Sequence, residues 1–102
     1  MKYRIRVTVK EVKGKCALGY KPGDMFIIEQ YYIEPVKQTR ICLHALSSML
    51  TLISPFLKGI SGKDLGIGKE EDIGYVQCPD PGPPYTCGGT VVFELKRETL
   101  NE

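Results

Sequence analysis

Thr39-Arg40-Ile41-Cys42-Leu43-His44-Ala45-Leu46-Ser47-Ser48-Met49-Leu50-Thr51-Leu52-Ile53-Ser54-Pro55-Phe56-Leu57 is the stretch that decides the fold. Cys42, Leu46, Met49, Leu50, Ile53 and Leu57 fall at offsets of 0, 4, 7, 8, 11 and 15. Those offsets trace one face of a helix beginning at about Thr39 or Arg40. Thr39 is suited to be the N-cap, its hydroxyl accepting a bond from an otherwise unpartnered amide. Pro55 should kink the helix or restart it, with Ser54 capping a short final turn. Gly59 then provides the stop.

Upstream of the helix the periodicity changes to two. Tyr3, Ile5, Val7 and Val9 alternate with Arg4, Arg6, Thr8 and Lys10, which predicts a strand with one buried and one wet face. Val12 puts an apolar residue into the polar register, so a bulge or strand end is expected there. Residues 13–24 carry turn chemistry, ending in Lys21-Pro22-Gly23-Asp24. A second strand starts at Met25 and can run on to Ile33, until Glu34-Pro35 ends it.

Downstream, residues 61–74 are rich in glycine and charge and read as a mobile connection. Tyr75-Val76-Gln77-Cys78 is a short strand. Four of the seven prolines fall between Pro79 and Pro84, making that stretch a rigid loop. Thr90 to Lys96 forms the last strand, with Val91, Phe93 and Leu95 facing one way, and the tail after Arg97 reads as polar and frayed.

The order strand, strand, helix, strand, strand predicts a single α+β domain over residues 1–102. It has a largely antiparallel sheet of about four strands with one main helix packed on one face. The other face is left to solvent or to a partner, a homodimer being a natural arrangement. At 102 residues the chain can bury roughly two thirds of the surface exposed by its unfolded form, so it needs no staple to fold.

Charge narrows the partners. Fourteen basic against twelve acidic residues give a net charge of +2, too small a field to steer phosphate or anionic lipid. Nucleic acid is therefore not an expected partner. Lys2, Arg4, Arg6 and Lys10 do share the wet face of the first strand, but such a row more often protects an edge from aggregation. The N-terminus lacks the unbroken apolar stretch of a secretory signal. The most apolar region, from Ile41 to Phe56, is interrupted by His44, Ser47, Ser48, Thr51 and Ser54 and falls short of a membrane span. The expected compartment is the cytoplasm, where cysteines are read first as thiols or metal ligands.

Cys16, Cys42, Cys78 and Cys87 are the residues best suited to carry chemistry, with the lone His44 nearby in sequence. Thiolate and imidazole are donors for zinc, iron or copper(I), although no C-x(2–4)-C knuckle is present. On a regular helix Cys42 and His44 would point ~160° apart, so they can share a ligand only if the helix begins after them. Cys78 and Cys87 flank the proline-rich loop and could form a disulfide, a dithiol pair or half of a metal site with Cys16. Cys42 also fits the bland role of a small core hydrophobe.

Other motifs fail. A phosphate loop needs four residues between its glycine and the Gly-Lys pair, then Ser or Thr. From Gly62 to Gly68-Lys69 five intervene, and Glu70 follows. Asp24 and Asp80 have the surroundings of turn formers. One histidine and no nucleophile elbow assemble no hydrolase constellation.

Several short motifs carry a resemblance. They are Cys16 followed by Gly23-Asp24-Met25-Phe26, then Cys42 at the helix start. Cys78-Pro79-Asp80-Pro81 and Val91-Val92-Phe93-Glu94-Leu95-Lys96-Arg97 complete the set. Together these resemble a family of small bacterial and archaeal proteins of about this length that has no established activity. The resemblance implies one compact α+β domain in which Cys16, Cys42 and Cys78 matter together. Cys87 departs from the pattern. Three readings follow. The chain is a noncatalytic binding domain with a cysteine-lined metal or ligand site, a thiol redox or sulfur-handling protein, or a dimeric interaction protein with structural cysteines. The first leads, because three of the cysteines flank turns or element ends.

Overall fold

The computed structural model describes residues 2–100. Six elements follow in order: β1 (Tyr3–Gly14), β2 (Met25–Ile28), β3 (Ile33–Pro35), α1 (Leu43–Leu57), β4 (Ile73–Gln77) and β5 (Gly89–Thr99). The strands form one antiparallel sheet in the order β3-β2-β1-β5-β4, with the first and last strands side by side at its centre. Because β3 and β4 are opposite edges, α1 connects them by crossing the sheet.

The α+β class and the single helix are as expected, but the sheet has five strands, not about four. The expected second strand folds back on itself. Ile28 pairs with Ile33, and the Glu29 amide donates to the Tyr32 carbonyl at 2.9 Å. Tyr31 and Tyr32 are thus exposed at a hairpin tip. Two tyrosines in an apolar run hide that turn, since neither glycine nor proline marks it.

The bulge foreseen near Val12 is present. Against β5 the register runs Val7↔Leu95, Val9↔Phe93 and then Glu11↔Val92, leaving Lys10 as the extra residue. The insertion matters because the side-chain period of a strand is two. Without it Glu11 would face inward; with it Val12 packs on the core.

Ile5, Val7, Val9, Phe26, Ile28, Val91, Phe93 and Leu95 from the sheet pack with Ala45, Met49, Ile53 and Phe56 from α1. The buried stripe is rotated from the expected one: Leu50 is exposed, while Ala45 and Phe56 take its place. The helix also runs through Pro55, so it does not restart there and Ser54 caps no separate final turn. Pro55 sits in the last turn, where few bonds remain to lose. Gly59 ends the helix as expected, at a φ of 102°. Its amide bonds the Phe56 carbonyl, and the Ile60 amide bonds that of Pro55, a paired closure that needs the left-handed conformation glycine accepts.

Arg97 continues the inward row of β5 and lies opposite Ile5. Its side chain is 1% exposed. It donates to the Phe56 and Ile60 carbonyls at 2.8 Å each, to the Glu71 carbonyl at 3.2 Å and to Asp72 at 2.9 Å. It also lies over the rings of Tyr3 and Phe56. One guanidinium therefore closes the C-terminal end of α1, where a positive charge is favoured, and ties it to the segment before β4. The tail after Arg97 is not frayed up to residue 100: β5 continues to Thr99, and the Leu100 amide bonds the Lys2 carbonyl. Residues 101–102 lie outside the described part.

The segment 61–72 is likewise more ordered than its composition implies. The amides of Gly62 and Lys63 bond the carbonyls of Glu71 and Glu70, and the Tyr75 amide bonds the Ile67 carbonyl across the edge of β4.

The outer sheet face carries the basic row singled out in the sequence, and its charges are answered within the sheet. Arg4 and Arg6 meet Glu98 at 2.9 and 3.1 Å, and Lys10 meets Glu94 at 3.5 Å. Burial pushes the Glu98 carboxyl up, but the Arg4 hydrogen bond and the charges of Arg6 and Arg4 outweigh it, leaving it below its ordinary value. No described helix is long and apolar enough to cross a membrane.

Candidate functional site

The sequence between β1 and β2 turns twice. The Gly19 amide closes on the Cys16 carbonyl, and the Asp24 carboxylate accepts from the Lys21 amide at 3.0 Å. Between those turns Tyr20 is buried, edge-on to Phe93 at 5.7 Å between ring centroids. Its hydroxyl donates to the Arg40 carbonyl at 2.8 Å and accepts from the Cys42 amide at 2.9 Å. This bond is why the helix starts later than Thr39. Val36 and Thr39 close a separate turn, in which the Thr39 hydroxyl donates to the Val36 carbonyl. Lys37 and Gln38 there have φ of 52° and 60°, outside any helix. Helical backbone begins at Leu43, with Cys42 as N-cap and no side-chain cap bond.

That shift changes the site. Cys42 stands before the helix and His44 in its first turn, so the opposed-face argument does not apply. Cys42, His44 and Ala45 form one wall of a cavity of about 170 Å³. Cys16, Ala17, Leu18 and Tyr20 form a second wall, Cys78, Pro79 and Asp80 a third, and Gly89, Val91 and Phe93 the floor. Three of the four predicted cysteines therefore border one largely apolar space.

Cys78 follows the last residue of β4 and prolongs the ladder with its side chain. Its amide bonds the Val91 carbonyl at 3.0 Å, while its sulfur accepts the Val91 amide at 3.2 Å and donates to the Gly89 carbonyl at 3.7 Å. Gly89 has to be glycine, because a Cβ there would come within 2.5 Å of the Lys13 carbonyl and 2.6 Å of the Lys15 amide. Among the described residues, neither the Cys16 thiol, the Cys42 thiol nor the His44 imidazole makes a hydrogen bond.

Cys87 is exposed and does not border the cavity, and all four cysteines are free thiols. Among the described residues no three His, Cys, Asp or Glu side chains are grouped so as to hold a metal ion. Sequence reasoning passed over Tyr20, whose only signal was one aromatic residue between two turns.

Asp80 acts as the turn former expected of it. Its carboxylate accepts from the Gly82 amide at 2.9 Å and from the Thr86 hydroxyl, and its carbonyl accepts from Thr90 Oγ1 at 2.6 Å. The Thr86 bond first, and the Gly82 amide next, hold its carboxyl below the usual aspartate value. A carboxyl lowered in the folded state gives its full contribution above the unfolded value and loses it as pH falls through the folded one. Protection of the Gly82 amide, measured against the exchange rate of an unstructured peptide at the same pH, should therefore fall on acidification only below the ordinary aspartate range. Protection lost within or above that range would contradict the clasp.

Tyr20 is open to a second test. Burial pushes its phenol up, against the lowering contribution of the Cys42 amide bond. Tyr20→Phe keeps the ring but leaves the Arg40 carbonyl and Cys42 amide without this partner. It should cost about 1–3 kcal/mol and accelerate amide exchange at Cys42. An unchanged exchange rate there would show that the hydroxyl does not hold the helix start.

No protein-family model, no curated protein and no solved structure matches this chain.

Proposed function

We propose that the protein is a noncatalytic binding domain that holds a small, soft ligand in the cavity at the start of α1. The observation that carries this reading is the convergence of Cys16, Cys42 and Cys78, from three separate segments, on one apolar space. Its volume, about 170 Å³, is similar to the ~150 Å³ of an apolar cavity that stays dry and takes benzene. The motif resemblance groups the same three cysteines and leaves Cys87 apart, which supports the reading.

The arrangement does not support catalysis. The Tyr20 hydroxyl is committed to backbone, and His44 makes no bond to a thiol that would mark a nucleophile and base pair. A zinc or iron centre needs three or four donors, and the described side chains do not group that way. The outer sheet face, with its internally paired charges, favours solvent over a second copy as its neighbour. A cytoplasmic setting would keep the thiols reduced.

The test is native mass spectrometry and elemental analysis of protein purified anaerobically without a metal-affinity tag. A bound species should leave on denaturation, and it should shield Cys16 and Cys42 from N-ethylmaleimide while Cys87 reacts at once. No bound species, together with cavity thiols that alkylate as fast as in the unfolded chain, would overturn the reading.

A further inference from the structure

We infer that the flank of α1 facing the β2–β3 hairpin is the contact surface of a two-fold dimer with a second copy of this chain. That flank shares no lining residue with the thiol-bordered cavity, so the dimer does not depend on the binding reading.

The helix carries the first observation. Although 25% of the chain is charged, α1 contains no Asp, Glu, Lys or Arg over its 15 residues. Its exposed positions are Leu43, Leu50, His44 and a set of small hydroxyl residues, where a surface helix ordinarily carries charged groups as well. Leu43, Leu46, Leu50 and Leu57 recur at offsets of 0, 3, 7 and 14, the spacing of a helix seam. They run beside the buried row of Ala45, Met49, Ile53 and Phe56 rather than within it. Leu43 is 79% exposed and Leu50 50%, while Leu46 and Leu57 are only partly covered.

The hairpin tip completes the surface. Tyr31, Tyr32 and Ile33 form one bank of a groove of about 280 Å³, and Leu46, Leu50 and Leu57 form the other. Glu29 and Gln30 also border it, but both are already engaged. Glu29 pairs with Arg4 at 3.8 Å, and the Gln30 amide donates to the Tyr3 carbonyl at 2.9 Å. The groove therefore offers a partner apolar contact and no charge left to pair.

Those properties select the occupant. A lipid surface is disfavoured, because interfacial helices carry Lys and Arg on their polar side and α1 has neither. A charged partner would find no counter-charge on the helix. A second copy suits the face on three counts. An isologous contact lays a surface against itself, and an uncharged surface meets itself without like-charge repulsion. The face also has its own projection and recess. Tyr31 is 93% exposed at the rim, and the groove exceeds the ~150 Å³ apolar cavity that takes a benzene ring, which leaves room for the partner's Tyr31. Area agrees as well. Tyr32 is 59% exposed. At ~150–250 Å² per buried aromatic, the two tyrosines supply roughly a third to a half of the ~800 Å² that each side of a standard interface buries. Leu43, Leu50 and the exposed serines of α1 lie alongside to supply the rest.

The experiment is sedimentation equilibrium of the full, reduced chain, with far-ultraviolet circular dichroism of each variant. At ~100 μM, well above the micromolar end of standard-size interfaces, the parent should be a dimer. Leu50→Asp and Tyr31→Asp each bring two like charges into the two-fold contact. Each should raise the dissociation constant by roughly 100-fold or more while leaving the helical spectrum unchanged. Lys10→Gln, on the outer sheet face, should leave the dimer intact.

A parent that is monomeric at that concentration, or a dimer that survives either aspartate substitution, would overturn the inference. Dissociation by Lys10→Gln would overturn it too, by moving the contact to the outer sheet face. A monomeric parent that cosediments with phosphatidylcholine–phosphatidylserine vesicles would instead give the face to lipid. The measurement on the parent does not depend on any variant folding.

Discussion

Replacing Arg97 by methionine should lower the unfolding free energy by about 3–5 kcal/mol, the range for breaking a buried ionic network by removing one partner. The guanidinium is the only side chain bonded to the Phe56 and Ile60 carbonyls among the described residues, and it reaches Asp72 and the Glu71 carbonyl as well. Methionine fills much of the volume but donates nothing, so the Ile60 carbonyl loses its side-chain donor and the Phe56 carbonyl keeps only the Gly59 amide, in a water-poor setting. Asp72, whose side chain is 59% exposed, returns to solvent at little cost. Asp72→Asn should therefore be much milder than Arg97→Met. Arg97→Lys should fall between them, because an ammonium cannot reproduce a planar fork of donors. Urea unfolding, read as a midpoint shift at constant slope, decides the matter. A loss below ~1 kcal/mol for Arg97→Met would mean that the end of α1 is held by something other than Arg97.

Phe93→Ala should be of similar size, about 3–5 kcal/mol, the range for removing a buried aromatic side chain from a core that cannot fully collapse. Phe93 is fully buried in β5, beside the central strand β1, and Tyr20 stands edge-on against it. The residue is also the floor of the cavity, so its loss joins a new void to the existing one. The same variant should bind a small apolar probe such as benzene more tightly than the parent does, because added apolar volume remains dry. Leu50→Ala, on the half-exposed side of α1, should cost far less. Equal losses at the two positions in thermal or urea unfolding would contradict the placement of the core.

Much of the fold was legible because it rests on periodicity. The alternation from Tyr3 to Val9 marked the central strand, the misplaced Val12 marked the bulge, and Val91, Phe93 and Leu95 marked the buried face of the last strand. Features set by tertiary contacts were not legible. Nothing local says that Tyr20 will take the Cys42 amide and delay the helix to Leu43. Nor does the sequence show that the positive charge opening an apparent tail will be buried as Arg97. The residues 61–72 look loose by composition, yet backbone bonds to Glu70 and Glu71 order them. Cys16, Cys42 and Cys78 were identifiable as residue types, but their convergence depended on the order β3-β2-β1-β5-β4 and on where α1 begins. Cys87 could not be separated from them by spacing alone. Its exposure outside the cavity is a property of the loop clasped by Asp80.

The most direct test of that convergence is reaction of the folded, reduced protein with phenylarsine oxide. The reagent bridges two neighbouring thiols and releases one water, and its single ring suits the cavity's size. The adduct should form once per chain and map by mass spectrometry to two of Cys16, Cys42 and Cys78, leaving Cys87 open to N-ethylmaleimide. An adduct that includes Cys87, or one that forms only after unfolding, would contradict the shared thiol-lined site.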